Sequence, residues 1–130
     1  MFIHEYGSRD NPTILLMAPM MASGADLYSL MAPHLTGEYH LIAPDQGEHG
    51  QAGQYQSADQ EYKDLKSYLI EIGCTQIHLL YGASLGVAVA YRLFFDNIFT
   101  VSYLCVSKYQ AKWITKETEF QLPLREGSKE

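Results

Sequence analysis

The stretch IHLLYGASLGVAVAYRLFF, residues Ile77 to Phe95, places a serine between two glycines where one apolar run ends and another begins. The first run, with the preceding glutamine, reads QIHLLY and has the length and composition of a buried strand. The second, VAVAYRLFF, is apolar almost all round, which is typical of a helix deep in a domain. The sequence therefore predicts a strand, a sharp turn at residues 82–86 and a buried helix.

The G-A-S-L-G turn has a chemical interpretation as well as a structural one. A serine can attack a carbonyl only if its hydroxyl stands clear of the backbone and near N–H donors for the oxyanion. A sharp strand-to-helix turn gives Ser84 both, because the N–H of Leu85 is unbonded at the amino end of the helix. Gly82 and Gly86 would remove the Cβ atoms that collide with neighbouring elements. The structural alternative is a small serine in an ordinary tight turn.

Apolar runs of strand length alternate with helical periodicity along the first 107 residues. Five runs are predicted as strands: MFIHEY, TILLMAP, YHLIAPD, QIHLLY and FTVSYLCV. LYSLMAPHL predicts a helix that Pro33 kinks or ends, preceded by a loop, MMASGAD. Ala58 to Ile72 predicts a second helix, which Ser57 and Gln60 begin as a capping pair. The pattern predicts an α/β fold, a mainly parallel sheet of about five strands with covering helices.

Composition and charge exclude several classes of function. A net charge of −6 and the lack of a basic stripe argue against a nucleic-acid partner. No apolar run is long enough to span a membrane, and Glu5 and Asp10 before the first long run do not fit a secretion signal. Cys74 and Cys105 are too few for a disulfide framework or a metal site and are interpreted as buried thiols in a reducing compartment. The sequence predicts a cytoplasmic protein without metal or cofactor.

Three blocks of the chain, in this order, resemble the α/β-hydrolase family. TILLMAPMMASGADLYSLMAPHL is similar to a strand, the oxyanion loop and the first helix of that family. YHLIAPDQGEHGQ is similar to the next strand and its D-x-x-G-H-G-type loop, and IHLLYGASLG to the nucleophile elbow. The resemblance covers roughly residues 1–107 and is more specific than the pentapeptide alone. It implies an incomplete α/β-hydrolase fold.

The resemblance also implies roles for individual residues. Ser84 would be the nucleophile, and the backbone N–H groups of Leu85 and Met20 would form the oxyanion hole. The chain departs from the family pattern where Ala18 and Pro19 replace His-Gly, because proline has no N–H and a fixed φ. The implied substrate is a small-molecule ester or a related acyl compound.

The histidine and the carboxylate of a catalytic triad do not occupy their expected places. In this fold they follow the serine, in the order Ser, acid, His. All five histidines precede Ser84: His4, His34, His40, His49 and His78. Those at 40 and 78 lie in predicted strands and are interpreted as structural, and Asp96 is predicted to cap or solvate the exit of the buried helix. We therefore predict that residues 1–107 are the amino-terminal part of an α/β-hydrolase domain.

Residues 108–130 are predicted to be a charged tail, partly disordered or packed on the sheet. The strand FTVSYLCV would then present an unpaired edge through which the chain could form a homodimer. The function favoured is a serine hydrolase of the esterase or acyl-hydrolase type, incomplete because no acid and histidine follow Ser84.

Two other interpretations stay open. One is a catalytically inactive hydrolase-like fragment or interaction module. The other is a short-chain dehydrogenase, because GASLGVA is similar to its nucleotide loop. Against it, Tyr81 and Ala88 do not fit that loop, which should also follow the first strand.

Overall fold

The structure is a computed structural model that describes residues 1–18, 23–35, 37–45, 57–83 and 86–106, together with the backbone of 107, 111–114 and 121–123. Within these residues the strands are β1 (Phe2–Tyr6), β2 (Thr13–Met17), β3 (His40–Asp45), β4 (Gln76–Ala83), β5 (Thr100–Ser107), β6 (Ala111–Ile114) and β7 (Gln121–Pro123). The described helices are α1 (Gly24–Met31), α2 (Ala58–Glu71) and α3 (Gly86–Phe94), with a short 3-10 helix at Ala32–His34.

The described strands form one sheet in the order β1-β3-β2-β4-β5-β6-β7. β2, β3, β4 and β5 run parallel, whereas β1, β6 and β7 pair antiparallel with their neighbours. Parallel strands need a crossover between them, which is why amphipathic segments alternate with apolar runs in this sequence. The five predicted strands are all present, and the mainly parallel sheet with covering helices is confirmed.

Strands β6 and β7 extend the sheet beyond the five predicted strands. β6 pairs with β5 from Leu104↔Ile114 to Ser107↔Ala111, so the β5 edge that we predicted to be unpaired has a neighbour in the structure. β7 then pairs with β6, which leaves β1 and β7 as the outer strands of the described sheet. Runs of three or four residues are too short for periodicity to reveal them as strands.

Serine side chains cap the first turns of α1 and α2. The Ser23 hydroxyl accepts the N–H of Asp26 at 3.0 Å, and the Asp26 carboxylate accepts the N–H of Ser23 at 3.2 Å. This capping box starts α1 at Gly24, so our prediction of a loop over MMASGAD was wrong at its carboxyl end. At α2 the Ser57 hydroxyl accepts the N–H of Gln60 at 3.1 Å, as predicted.

Helices cover both faces of the sheet. α1 packs on the face formed by Ile14, Leu16, Ala18, Leu41 and Ala43. α2 and α3 pack on the opposite face with the alternate residues of β2, Leu15 and Met17. Every residue of β2 and β3 is buried, which explains why these strands read as continuous apolar runs. None of the described helices combines the length and the apolar character that crossing a membrane requires.

Candidate active site

The connections of the sheet reverse direction between β2 and β4. β2 leads through α1 to β3 on one side, whereas β4 leads through α3 to β5 on the other side. In open α/β sheets, ligands bind in the crevice at the carboxyl ends of the strands where the order reverses. β2 and β4 pair up to Met17↔Gly82, so their carboxyl ends lie side by side. The topology alone thus points to the segments that follow Met17 and Gly82.

Gly82, near the end of β4, lies where the strand and α3 approach each other most closely. A Cβ atom placed on Gly82 would come within 2.9 Å of the Ala90 Cβ and 3.1 Å of the Gly86 carbonyl oxygen. The Cα of Val87 would lie 3.3 Å away. Two of these three neighbours are backbone atoms, so the strand and the helix could not keep this separation with a larger residue.

Gly86, the first residue of α3, contacts the end of the neighbouring strand β2. A Cβ atom on Gly86 would lie 2.6 Å from the carbonyl oxygen and 2.7 Å from the Cβ of Met17. Gly86 is buried, and the Met17 backbone is held by its pairing with β4, so neither side can move away cheaply. The turn between β4 and α3 is therefore flanked by two glycines, each required by a close backbone approach.

Asp45, the last residue of β3, anchors the beginning of α1. Its fully buried carboxylate accepts the N–H of Gly24 at 2.6 Å through Oδ1 and bonds His4 Nε2 at 3.0 Å through Oδ2. Gly24 itself lies so close to β3 that a Cβ atom there would be 2.0 Å from the Ala43 carbonyl oxygen. The sequence analysis placed Asp45 in a block that resembles the family but missed this role. The carboxylate contacts Gly24, which lies 21 positions earlier in the chain, and His4, which lies 41 positions earlier.

The arrangement of strands and helices matches a group of solved structures. An alpha/beta hydrolase family protein from Desulfitobacterium hafniense is 22% identical, with a TM-score of 0.72 over 82% of this chain and 44% of its own. An esterase from Exiguobacterium antarcticum is 16% identical, with a TM-score of 0.66 over 80% of this chain and 39% of its own. The chain has an α/β-hydrolase fold.

A haloalkane dehalogenase variant from Bradyrhizobium elkanii has the same fold, with 23% identity and a TM-score of 0.68 over 95% of this chain and 38% of its own. The chain thus spans between 38% and 44% of the length of these solved structures. No family model matches the sequence, and no curated protein matches it significantly. Because the similar structures are named for different reactions, the shared fold leaves the chemistry of this chain open.

The hydrolase fold brings together the ends of the two strands from which the predicted site residues continue. Ser84 and Leu85 lie between β4 and α3, outside the described residues, and Met20 follows β2, also outside them. The described neighbours Ala83 and Ala18 are 8% and 1% exposed. The elbow glycines of the prediction, at 82 and 86, are the two glycines with the close contacts given above.

Of the described histidines, His34, His40 and His78 lie away from the carboxyl ends of β2 and β4, whereas His4 lies near the carboxyl end of β3. His4 bonds Asp45 at β3, and His34 is exposed in the 3-10 helix after α1. His40, at the start of β3, is 1% exposed and bonds Thr13 and Glu5. His78 stacks with Tyr39 and contacts Tyr103 edge-on, and the five residues from it to Ala83 at the end of β4 span roughly 17 Å of extended strand. His49 lies outside the described residues.

Asp96 is fixed at the exit of α3, consistent with a capping role there. Its carboxylate accepts the Tyr62 hydroxyl, bonds the Lys66 ammonium at 2.9 Å and accepts the N–H of Ile98 at 3.1 Å. These partners, the Tyr62 hydroxyl foremost, lower the pKa of Asp96 to about 2. Its described contacts therefore hold this carboxylate at the outer end of the helix.

Neither cysteine forms a disulfide, and the two thiols differ in burial. Cys105 is 6% exposed, as predicted, whereas Cys74 is half-buried, so our prediction of two buried thiols was wrong for Cys74. The difference arises because Cys74 follows α2 at the rim of the sheet, whereas Cys105 lies within β5. Within the described part of the chain, no group of three or more His, Cys, Asp or Glu side chains is placed to hold a metal ion.

Proposed function

We propose that this chain carries the nucleophile elbow of a serine hydrolase that acts on small-molecule esters or related acyl compounds. Ser84 is the nucleophile, and the N–H groups of Leu85 and Met20 bind the oxyanion. The observation that supports the proposal best is the pair of close approaches at Gly82 and Gly86, on either side of the serine. A turn that needs glycine at both of these positions is typical of a nucleophile elbow.

The described elements around Ser84 suit the chemistry. α3 starts at Gly86, so its unbonded amide N–H groups and the positive end of its dipole are directed toward the turn. In the reaction Ser84 Oγ bonds the acyl carbon, a base takes the hydroxyl proton, and the carbonyl oxygen becomes the oxyanion. Collapse of this intermediate expels the alcohol and leaves an acyl-enzyme, which water then hydrolyses.

The contacts of His40 and His78 hold them away from the elbow, and the Asp45 carboxylate that bonds His4 also anchors α1 through the N–H of Gly24. The proposal therefore assigns the general base and its orienting acid to residues outside the described part of the chain, or to a partner. The same observation favours a second candidate function, an inactive hydrolase-like domain that acts as an interaction module. The two candidates differ in whether the serine at position 84 is activated.

Covalent labelling by a fluorophosphonate, read by intact mass, separates these candidates. The hydrolase proposal expects one adduct on the wild-type chain and none on Ser84→Ala. Ser29→Ala, at an exposed position of α1, should be labelled like the wild type and controls for nonspecific reaction. A folded wild-type chain that takes no label would contradict the hydrolase and support the interaction module. Labelling that persists in Ser84→Ala would contradict the assignment of the nucleophile.

We also propose that the chain is cytoplasmic and self-associates through an outer strand of the sheet. Two cysteines without a disulfide support a reducing compartment. β1 and β7 each have one neighbour in the described sheet, and an outer strand exposes backbone groups that can pair with another chain. Light scattering over a range of concentrations should detect a dimer, whereas a monodisperse monomer throughout would contradict the self-association.

A further inference from the structure

A cavity lies at the amino ends of the parallel strands, at the opposite end of the sheet from Gly82 and Gly86. Its volume is about 570 Å³. Thr13 and His40 line it at the first residues of β2 and β3, where they pair across the sheet. Both are buried polar residues, 6% and 1% exposed, and Cys74 lines the same cavity. The cavity is therefore bordered by a hydroxyl, an imidazole and a thiol.

Glu5 is the acid of this cluster. Its carboxylate accepts two bonds from Arg9, at 2.7 and 2.9 Å, one from the Tyr68 hydroxyl at 2.6 Å and one from His40 Nε2 at 2.5 Å. The Arg9 bonds foremost lower the pKa of Glu5 to about 2, against the opposing effect of burial. Glu5 is therefore ionised at neutral pH and can only accept hydrogen bonds.

Glu5 lies at the end of a line of hydrogen-bonded groups. Because an ionised carboxylate can only accept, His40 Nε2 donates to Glu5. On the other side of the ring, His40 Nδ1 lies 2.9 Å from Thr13 Oγ1. The Cys74 thiol lies 3.6 Å from Thr13 Oγ1 and 3.9 Å from the Gln76 carbonyl oxygen. Consecutive contacts therefore join Cys74 through Thr13 and His40 to Glu5.

We propose that Cys74 is a nucleophilic thiol that forms mixed disulfides with small polar disulfides entering this cavity, and that Thr13 and His40 remove its proton. As Cys74 Sγ bonds one sulfur of the disulfide, that S–S bond breaks and the other sulfur leaves as a thiolate. The thiol proton passes to Thr13 Oγ1, and the Thr13 proton passes to His40 Nδ1. The resulting imidazolium is stabilised by Glu5 and protonates the departing thiolate. The incoming disulfide is the oxidant: Cys74 is oxidised to the mixed disulfide, and the departing sulfur is reduced to a thiol.

The composition of the cavity favours this class of partner. Arg9, Asp10, Asn11 and Gln76 line it beside Cys74, so a small molecule with charged and amide groups finds hydrogen-bond partners there. The half-buried thiol is accessible from the cavity, whereas Cys105 is 6% exposed. Cys105 therefore provides a comparison thiol within the same molecule.

The test is the rate of mixed-disulfide formation with oxidised glutathione, followed by intact mass and located by peptide mass. The proposal expects one adduct, on Cys74 and not on Cys105, and none on Cys74→Ala. Thr13→Val keeps the shape of the side chain but breaks the proton chain, so its rate should fall at least about tenfold. Thr13→Ser restores a hydroxyl and should recover most of the wild-type rate.

Two outcomes would overturn the proposal. One is a rate in Thr13→Val equal to that of the wild type, and the other is preferential reaction at Cys105. Far-ultraviolet circular dichroism of each variant, together with the rescue by Thr13→Ser, distinguishes a broken proton chain from a damaged fold. The inference does not depend on the hydrolase proposal, because the fluorophosphonate assay reports on Ser84 and this assay on Cys74.

Discussion

The two ends of the parallel sheet are built on different principles. At the carboxyl ends of the strands, the structure depends on missing side chains: Gly24, Gly82 and Gly86 each let two backbone segments approach to distances that a Cβ atom would prevent. At the amino ends it depends on polar side chains, where the Glu5 carboxylate accepts hydrogen bonds from Arg9 after β1, from Tyr68 in α2 and from His40 in β3. Close backbone contact predominates at the carboxyl end. The amino end has one such approach among the described glycines, since a Cβ atom on Gly7 would lie 2.1 Å from the Tyr39 carbonyl oxygen, and it is held mainly by directed hydrogen bonds.

This difference predicts how each end responds to change. A steric contact between backbones has no alternative arrangement at similar energy, because the interior is close-packed and cannot expand locally. A cluster of hydrogen bonds around a carboxylate can lose one member and keep the others, and its strength depends on pH. Substitutions at the carboxyl end should therefore have the larger effects on stability, and those at the amino end should be pH-dependent.

The largest effect is expected for Gly86→Ala. Its Cβ would lie 2.6 Å from the Met17 carbonyl oxygen, so α3 or β2 must shift. Overpacking of this kind costs up to about 3 kcal/mol, and we expect a loss near that value in urea unfolding. Gly73→Ala is the matched control, since Gly73 has a φ of 73° but no atom within 4 Å of the added Cβ.

The Gly73→Ala control should lose about 1 kcal/mol, the cost of placing alanine in a left-handed conformation. The comparison separates a steric clash from conformational strain, because Gly86 does not have a positive φ. If Gly86→Ala is no less stable than Gly73→Ala, the close approach of α3 to β2 does not control the geometry at this end of the sheet.

The second effect is expected for Glu5→Gln at the amino end. The pKa of Glu5 falls from 4.5 to about 2 on folding, mainly through Arg9. A lowered folded-state pKa stabilises the protein above pH 4.5, and this stabilisation is lost as the pH falls toward 2. Since the carboxylate keeps some contact with water, we expect Glu5→Gln to lose about 2 kcal/mol at neutral pH.

Urea unfolding over a series of pH values tests this expectation. The difference in stability between the wild type and Glu5→Gln should shrink as the solution becomes more acidic than pH 4.5. Glu71→Gln, at an exposed position at the end of α2, controls for the loss of one negative charge. A difference that stays constant with pH would show that Glu5 contributes through packing and not through its charge.

The same contrast explains which features could be predicted from the sequence. The strands, α2 with its Ser57 cap, and the glycines at positions 82 and 86 are signalled by residues within a few positions of one another. Apolar runs, a serine before a helix and a G-x-S-x-G spacing are all local patterns. The sequence analysis therefore predicted that a Cβ atom at Gly82 or Gly86 would collide with a neighbouring element. It did not identify Met17, on another strand, as the residue that Gly86 approaches.

The cluster at the amino end could not be predicted in this way. Thr13 and His40 are 27 positions apart, His40 and Glu5 are 35, and Tyr68 and Glu5 are 63. Only the order of strands in the sheet brings them together, and no local pattern carries that order. Sequence reasoning correctly placed His40 in a strand, but it could not name the partners. Cys74 was misjudged as buried for the same reason, because its exposure depends on the cavity.

The smallest effect is expected for Ser23→Ala. This change removes the N-cap of α1, which lies at the carboxyl end of the sheet. An N-cap serine contributes about 1 kcal/mol, and we expect a loss of that size in urea unfolding, with Ser29→Ala unchanged within about 0.5 kcal/mol. The loss should be no larger because the Asp45 carboxylate still accepts the N–H of Gly24, and the helix still rests on the Ala43 carbonyl. A loss as large as that of Gly86→Ala would mean that polar capping matters as much as backbone contact at this end, and the contrast between the two ends of the sheet would fail.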